Sequence, residues 1–263
     1  MQTLDISYSM MLGFYALAAV PLLLCYYLKL GIIRTVAAAV ARMTVQLVLV
    51  ALYLELIFRL NSLWLNAAWM MVMLLAANGN VIRSSGLRMK RFFGVAFAGL
   101  SAGSVPVVLF FVCVAVHPSP PYDARYLIPI TGMVLGNCLR ANVIALERFY
   151  AGIRRSEQEY LSYLLMGASL TEAVAPYMRQ ALRAALAPTV STMATLGLVA
   201  LPGMMTGQIL GGSEPLVAIK YQIAIMLAIF CATLITAACN IRLSLRIALN
   251  QFYTLDKSVF AVR

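Results

Sequence analysis

Seven long apolar stretches run through this chain, at about residues 8–28, 35–58, 63–82, 93–116, 127–146, 190–210 and 219–241. Each has the roughly 20 residues a helix needs to cross ~30 Å of hydrocarbon. Composition argues against a soluble fold: 63% of residues are hydrophobic and 11% charged, too few charges for a water-facing surface. The expected architecture is all-α, a single transmembrane domain over residues 1–263 with about seven spanning helices.

Basic residues fall on every second loop. One side carries Lys29, Arg34, Arg83, Arg88, Lys90, Arg91, Arg148, Arg154, Arg155, Arg179, Arg183, Arg242, Arg246, Lys257 and Arg263; the other carries Arg59, Arg125 and Lys220. Positive residues are retained on the cytoplasmic side during insertion. The N-terminus is therefore expected outside and the C-terminus inside, in a bacterial inner membrane. The net charge of +11 is explained by loops beside anionic lipid rather than by nucleic acid. Asp5 and the lack of Lys or Arg before the first stretch point to a retained helix, not a cleaved signal. The five cysteines are scattered and never form CxxC, so neither disulfides nor a zinc site is expected.

The longest segment between stretches, 147–188, lies on the cytoplasmic side and carries charges of both signs. Tyr160, Tyr163, Leu164 and Leu165 recur at helical spacing, and Gly167 ends that helix. Ser169 and Glu172 have capping-box spacing and open a second helix towards Ala187, expected to bend at Pro176 and to break at Pro188-Thr189. A connector lying on the membrane and a docking element for a soluble partner both fit, and the capped two-helix outline favours docking. Glu157, Glu159, Gly167, Ser169, Glu172, Pro176 and Arg179 are the residues this reading assigns to coupling.

Within the sixth stretch, Pro202 removes a backbone donor and frees a carbonyl one turn earlier, near Leu198. In lipid such a carbonyl needs a new partner, so broken backbone faces protein or a watery cavity. Gly203, Gly207 and Gly211 repeat every four residues, a smooth face for close helix contact. A hinge at a translocation path is the functional reading and close packing the plainer one. Met204 and Met205 offer soft sulfur, yet with 15 methionines in the chain core packing explains any one of them. No metal-ligand set can be assigned.

Polar groups recur inside the spans. Arg42 lies deep in the second, with Gln46 one turn on and Glu55 near its outer end. A central Arg costs about 2.5–3.5 kcal/mol on insertion scales, so it is expected to face the bundle interior or water. Asn78 and Asn80 in the third span, and Asn137, Arg140 and Asn142 in the fifth, suggest a polar seam among helices two, three and five; Gln208 adds a polar group to the sixth. Interhelical hydrogen bonding explains each alone; together they make candidate path residues. His117 is the lone histidine, on an outer loop, and no P-loop, HExxH or Ser/His/Asp set is present. The chain is thus expected not to be an enzyme.

The block Pro188-Thr189…Met193…Gly197-Leu198-Val199…Leu201-Pro202-Gly203-Met204-Met205-Thr206-Gly207, with Ala218-Ile219-Lys220-Tyr221-Gln222, resembles the FetB (YbbM-type) family of ABC-transporter permeases, which has plant relatives linked to aluminium tolerance. Leu165-Met166-Gly167-Ala168-Ser169, Ala173, Pro176 and Arg179 also fit. The resemblance implies a permease subunit served by a separate cytoplasmic ATPase that binds ATP and Mg, and export of iron or another metal. A homodimer is expected, because no internal duplication supplies a second half. The residues themselves leave open a secondary transporter or channel working alone, and a membrane scaffold.

Overall fold

Residues 7–250 and 253–256 are described by a computed structural model. Asp5, Lys257 and Arg263 lie outside them. The helices follow in order: α1 (Tyr8–Tyr27), α2 (Ile33–Leu60), α3 (Leu63–Ser84) and α4 (Met89–Phe110), which continues into a π-helical turn, Phe111–Val116. Next come α5 (Ala124–Arg155), α6 (Glu157–Leu165), α7 (Leu170–Thr195), α8 (Gly203–Leu210) and α9 (Pro215–Ala248). Six are long and apolar enough to cross a membrane. At 1.5 Å per residue the 32 residues of α5 and 34 of α9 reach about 48 and 51 Å, well past the hydrocarbon.

The stretch at 190–210 is different. It is not one helix. α7 passes straight through Pro188 and stops at Thr195; a non-helical turn follows, and α8 starts at Gly203 with Pro202 as its N-cap. The expected break at Pro188-Thr189 therefore falls seven residues later, at Leu196 (188 to 195 helical). Packing explains the continuity. Ala173, Val174, Tyr177, Ala181 and Ala185 form one buried stripe along α7, whereas Pro176 and Pro188 sit on its exposed side. The stripe fixes the helix against α5 and α9, and the proline rings project away from that contact. In the turn, Gly197 adopts φ +84° and its N–H bonds the Ala200 carbonyl at 3.1 Å.

The packed body consists of α3, α4, α5, α7 and α9. Its tightest seam joins α4 to α9. A Cβ on Gly103 would lie 2.6 Å from Thr236 Cγ2, and one on Gly99 2.7 Å from Asn240 Cγ. Only glycine fits, and Gly99-Leu-Ser-Ala-Gly103 is a small-xxx-small face. Buried amides meet beside it. Asn240 Nδ2 donates to Asn142 Oδ1 at 2.6 Å, and Asn142 Nδ2 donates to Thr236 Oγ1 at 2.9 Å. The polar seam thus runs between α5 and α9, not among α2, α3 and α5. Asn78 is buried too, but it donates to the Phe93 carbonyl on α4.

α1 and α2 stand apart. α1 packs on α2, with Tyr15 Oη and Thr44 Oγ1 2.8 Å apart. α2 joins the body near its C-terminal end, where Ile57 packs with Ala124 and Ile128. Arg42 was expected to face the bundle interior or water, with Gln46 on the same face; both are exposed within the described chain, because α2 leaves the body before reaching their level.

Candidate functional site

Two regions gather the polar and special-geometry residues: a cavity at the α7–α8 break, and the α6–α7 hairpin.

The cavity has a volume of about 440 Å³ and is bounded by α5, α7, α8 and α9. α5 contributes Met133, Asn137, Arg140 and Ile144. Arg140 is exposed within the chain; its Nη2 donates to Asn137 Oδ1 at 3.0 Å, and Asn137 Nδ2 donates to the Met133 carbonyl at 2.8 Å. That amide aims the guanidinium without neutralising it. α7 contributes Ala185, Pro188, Thr189 and Thr192. The break contributes Pro202, Gly203 and Met204, and α9 contributes Gln222 with Met226 and Ile229. α8 opens without a side-chain cap, so its first N–H groups lack a partner inside the helix. No carboxylate lines the cavity, and no cluster of three His, Cys, Asp or Glu occurs among the described residues.

Of the path residues read from sequence, the cavity brings together Asn137, Arg140, Pro202, Gly203 and Met204. Met205 lines the neighbouring groove against Ile219 and Met226. Gln208 lies on α8 with its Oε1 buried and without a hydrogen bond. Arg42, Gln46, Glu55 and Asn78 do not line the cavity; Glu55 pairs with Arg59 at 2.6 Å on the exposed side of α2. The glycine face is open within this chain: a Cβ at Gly203 or Gly207 would meet nothing within 4 Å, and one at Gly211 would meet only its own helix's carbonyls. Thr189, Thr192 and Gln222 line the cavity without having been singled out as path residues. Gln222 had a sequence signal, since it follows Ile219 by three positions and precedes Met226 by four, outside any cluster of charge.

At the other end of α7, the hairpin has the expected caps. Gly167 takes φ +90°, its N–H bonds the Leu164 carbonyl, and the Ala168 N–H bonds the Tyr163 carbonyl, a Schellman ending for α6. Ser169 and Glu172 form the reciprocal capping box of α7. The Ser169 hydroxyl, then its N–H, hold the Glu172 carboxyl below the usual range. Glu157 and Glu159 are exposed, with Glu159 accepting from Tyr163 at 3.0 Å; Pro176 and Arg179 are exposed on α7. Beneath them Tyr160 is buried, donating to the Tyr253 carbonyl at 2.7 Å, and burial pushes its phenol up to about 12. At the tip, Leu165 and Met166 are 88% and 75% exposed.

Comparison with known proteins adds kinship. The model of an uncharacterised protein family, UPF0014, matches residues 8–249. The UPF0014 membrane protein slr1647 of Synechocystis is 37% identical over 188 residues, 72% of this chain and 73% of that one. The Escherichia coli protein named "Probable iron export permease protein FetB" is 29% identical over 237 residues, covering 90% and 88%. The Arabidopsis thaliana "Protein ALUMINUM SENSITIVE 3" is 28% identical over 240 residues, covering 91% and 86%. No solved structure matches.

Proposed function

Because the chain belongs to the UPF0014 family of multi-pass membrane proteins, we propose that it is the permease subunit of an ABC transporter, coupling ATP hydrolysis in a separate cytoplasmic ATPase to solute export. One observation carries this reading. α7 is a single helix from the capped cytoplasmic hairpin to the cavity at the break. Its 26 residues form a lever of about 39 Å. A push on the Leu165–Met166 tip moves the cavity wall at Pro188, Thr189 and Thr192 as one rigid piece, while Gly197 and Pro202 bound the hinge. Helices broken beside a cavity are a recurrent design in transporters, because unpaired backbone at membrane depth is tolerated only where it is buried in protein or lines a watery cavity.

ATP and Mg bind on the ATPase, and this chain has no catalytic role. Two copies of the permease with two ATPase subunits complete the transporter. Iron, in the name of the Escherichia coli relative, is the first metal to test as cargo. The coupling surface is the hairpin tip. Leu165→Glu and Met166→Glu are expected to abolish co-purification with a cytoplasmic ABC ATPase while leaving the chain monodisperse, since neither side chain is packed. ATPase association and solute-stimulated hydrolysis unchanged in both variants would overturn the coupling role. Transport by the chain alone, driven by an ion gradient, would overturn the ABC assignment.

A further inference from the structure

We propose that the cavity at the α7–α8 break binds an anionic solute through carboxylate or phosphate oxygens, and is not a seat for a bare metal cation. This rests on the cavity being the transported solute's site. Three groups on its wall point the same way. Arg140 brings a permanent positive charge, and no carboxylate among the described residues lies within ion-pair reach of it. α8 presents an uncapped N-terminus at Gly203 and Met204, where N–H groups and the helix dipole favour negative charge. Gln222 is only 9% exposed, lines the cavity and has no hydrogen-bond partner. Its NH2 is a donor of the kind an oxyanion accepts.

A bare cation fits poorly. A hard ion needs several anionic or carbonyl oxygens, and the wall offers no carboxylate. Met133, Met204 and Met226 bring thioethers that suit a soft ion, but a guanidinium in the same cavity repels it. Size agrees. The α5 wall runs from Met133 to Ile144, about 16 Å at 1.5 Å per residue, which suits an extended organic anion better than one ion. A metal would then travel as its anionic chelate, with the chelator's oxygens held by the protein.

The test uses the full chain in phosphatidylcholine nanodiscs, without ATPase. Saturable binding is measured for citrate, ferric citrate, inorganic phosphate and Fe2+ alone. Citrate or ferric citrate is expected to bind. Arg140→Gln should weaken it about tenfold, the effect of losing one charge-assisted hydrogen bond. Gln222→Leu, nearly isosteric, should weaken it less. Arg140→Lys keeps the charge and should retain most of the affinity; it reports if Arg140→Gln fails to fold. Phosphatidylglycerol competing with citrate would assign the oxyanion site to a lipid headgroup; lack of competition would assign it to a soluble solute. Two results overturn the proposal: no saturable binding of any anion to the folded chain, or Fe2+ binding that survives Arg140→Gln and is lost in Met204→Leu. Anion binding without any ATPase association would leave the site standing and remove the ABC reading.

Discussion

Gly99 and Gly103 show how much one hydrogen atom in place of a methyl can decide. Their bare Cα atoms let α4 reach the α9 backbone, and that approach brings Asn240 and Thr236 to Asn142. Interhelical hydrogen bonds in membranes are worth about 0.6 kcal/mol on average and up to about 1.7, so backbone proximity and packing carry most of the seam. Gly103→Leu is expected to cost more than the usual ~1–3 kcal/mol of overpacking, because the colliding atoms include the Thr236 backbone N at 2.7 Å, which cannot swing away. Gly207→Leu meets open space within the chain and should leave the protomer folded. Thermal unfolding of the two variants in one detergent checks this; equal melting temperatures would remove α4–α9 contact as the determinant. Both glycines belong to four-residue repeats, so spacing alone could not rank them. The ranking depends on what lies opposite, which a single sequence does not contain.

Among the elements, the caps and the break at Pro202-Gly203 were readable, and the end of α7 was not. Ser169, Glu172 and Gly167 act within three or four residues of themselves, so their spacing suffices to set the ends of α6 and α7. The prolines act locally too, but tertiary packing overrode them: α7 continues through Pro176 and Pro188 because its buried alanine stripe lies on the opposite side. The helix runs on past the last stripe residue, Ala185, and ends at Thr195, where Val190, Ser191 and Thr192 are already exposed. This gives opposite expectations for two substitutions. Pro188→Ala should be neutral or mildly stabilising, since it restores a helix donor at an exposed site. Gly197→Val should destabilise by about 1–2 kcal/mol, the penalty of a β-branched residue at φ +84°. Chemical denaturation of both variants decides the matter. A larger loss at Pro188 than at Gly197 would place the functional break where the proline is. The same logic explains the cavity: Arg140, Pro202 and Met204 are legible as unusual residues, yet only the return of the chain through the turn sets them on one wall with Gln222.

Across the whole molecule, burial is one-sided. The membrane windows of α1 and α2 contain no buried residue, whereas those of α5 and α9 are 50% and 44% buried. Apolar exposure of that kind is normal against lipid, but α2 is not uniformly apolar. Arg42 and Gln46 stand one turn apart on its exposed surface. Thr44, which meets Tyr15 of α1, points roughly to the opposite side. Neither α1 nor the packed body covers the arginine, and a lipid-facing guanidinium at this depth costs about 2.5–3.5 kcal/mol. A second copy is the occupant the proposed dimer supplies, so α2 should present its Arg42–Gln46 face to that copy. Leu49, three residues beyond Gln46, continues the face; Leu47 is turned away from it. A photo-crosslinking amino acid at Leu49 is expected to give an adduct of two chains in native membranes, and the same group at Leu47 is expected to give lipid adducts only. Equal crosslinking at both positions, or none at Leu49 in a well-expressed protein, would mean that α2 meets lipid on all sides. The dimer would then have to form through the open Gly203–Gly207 face of α8 instead.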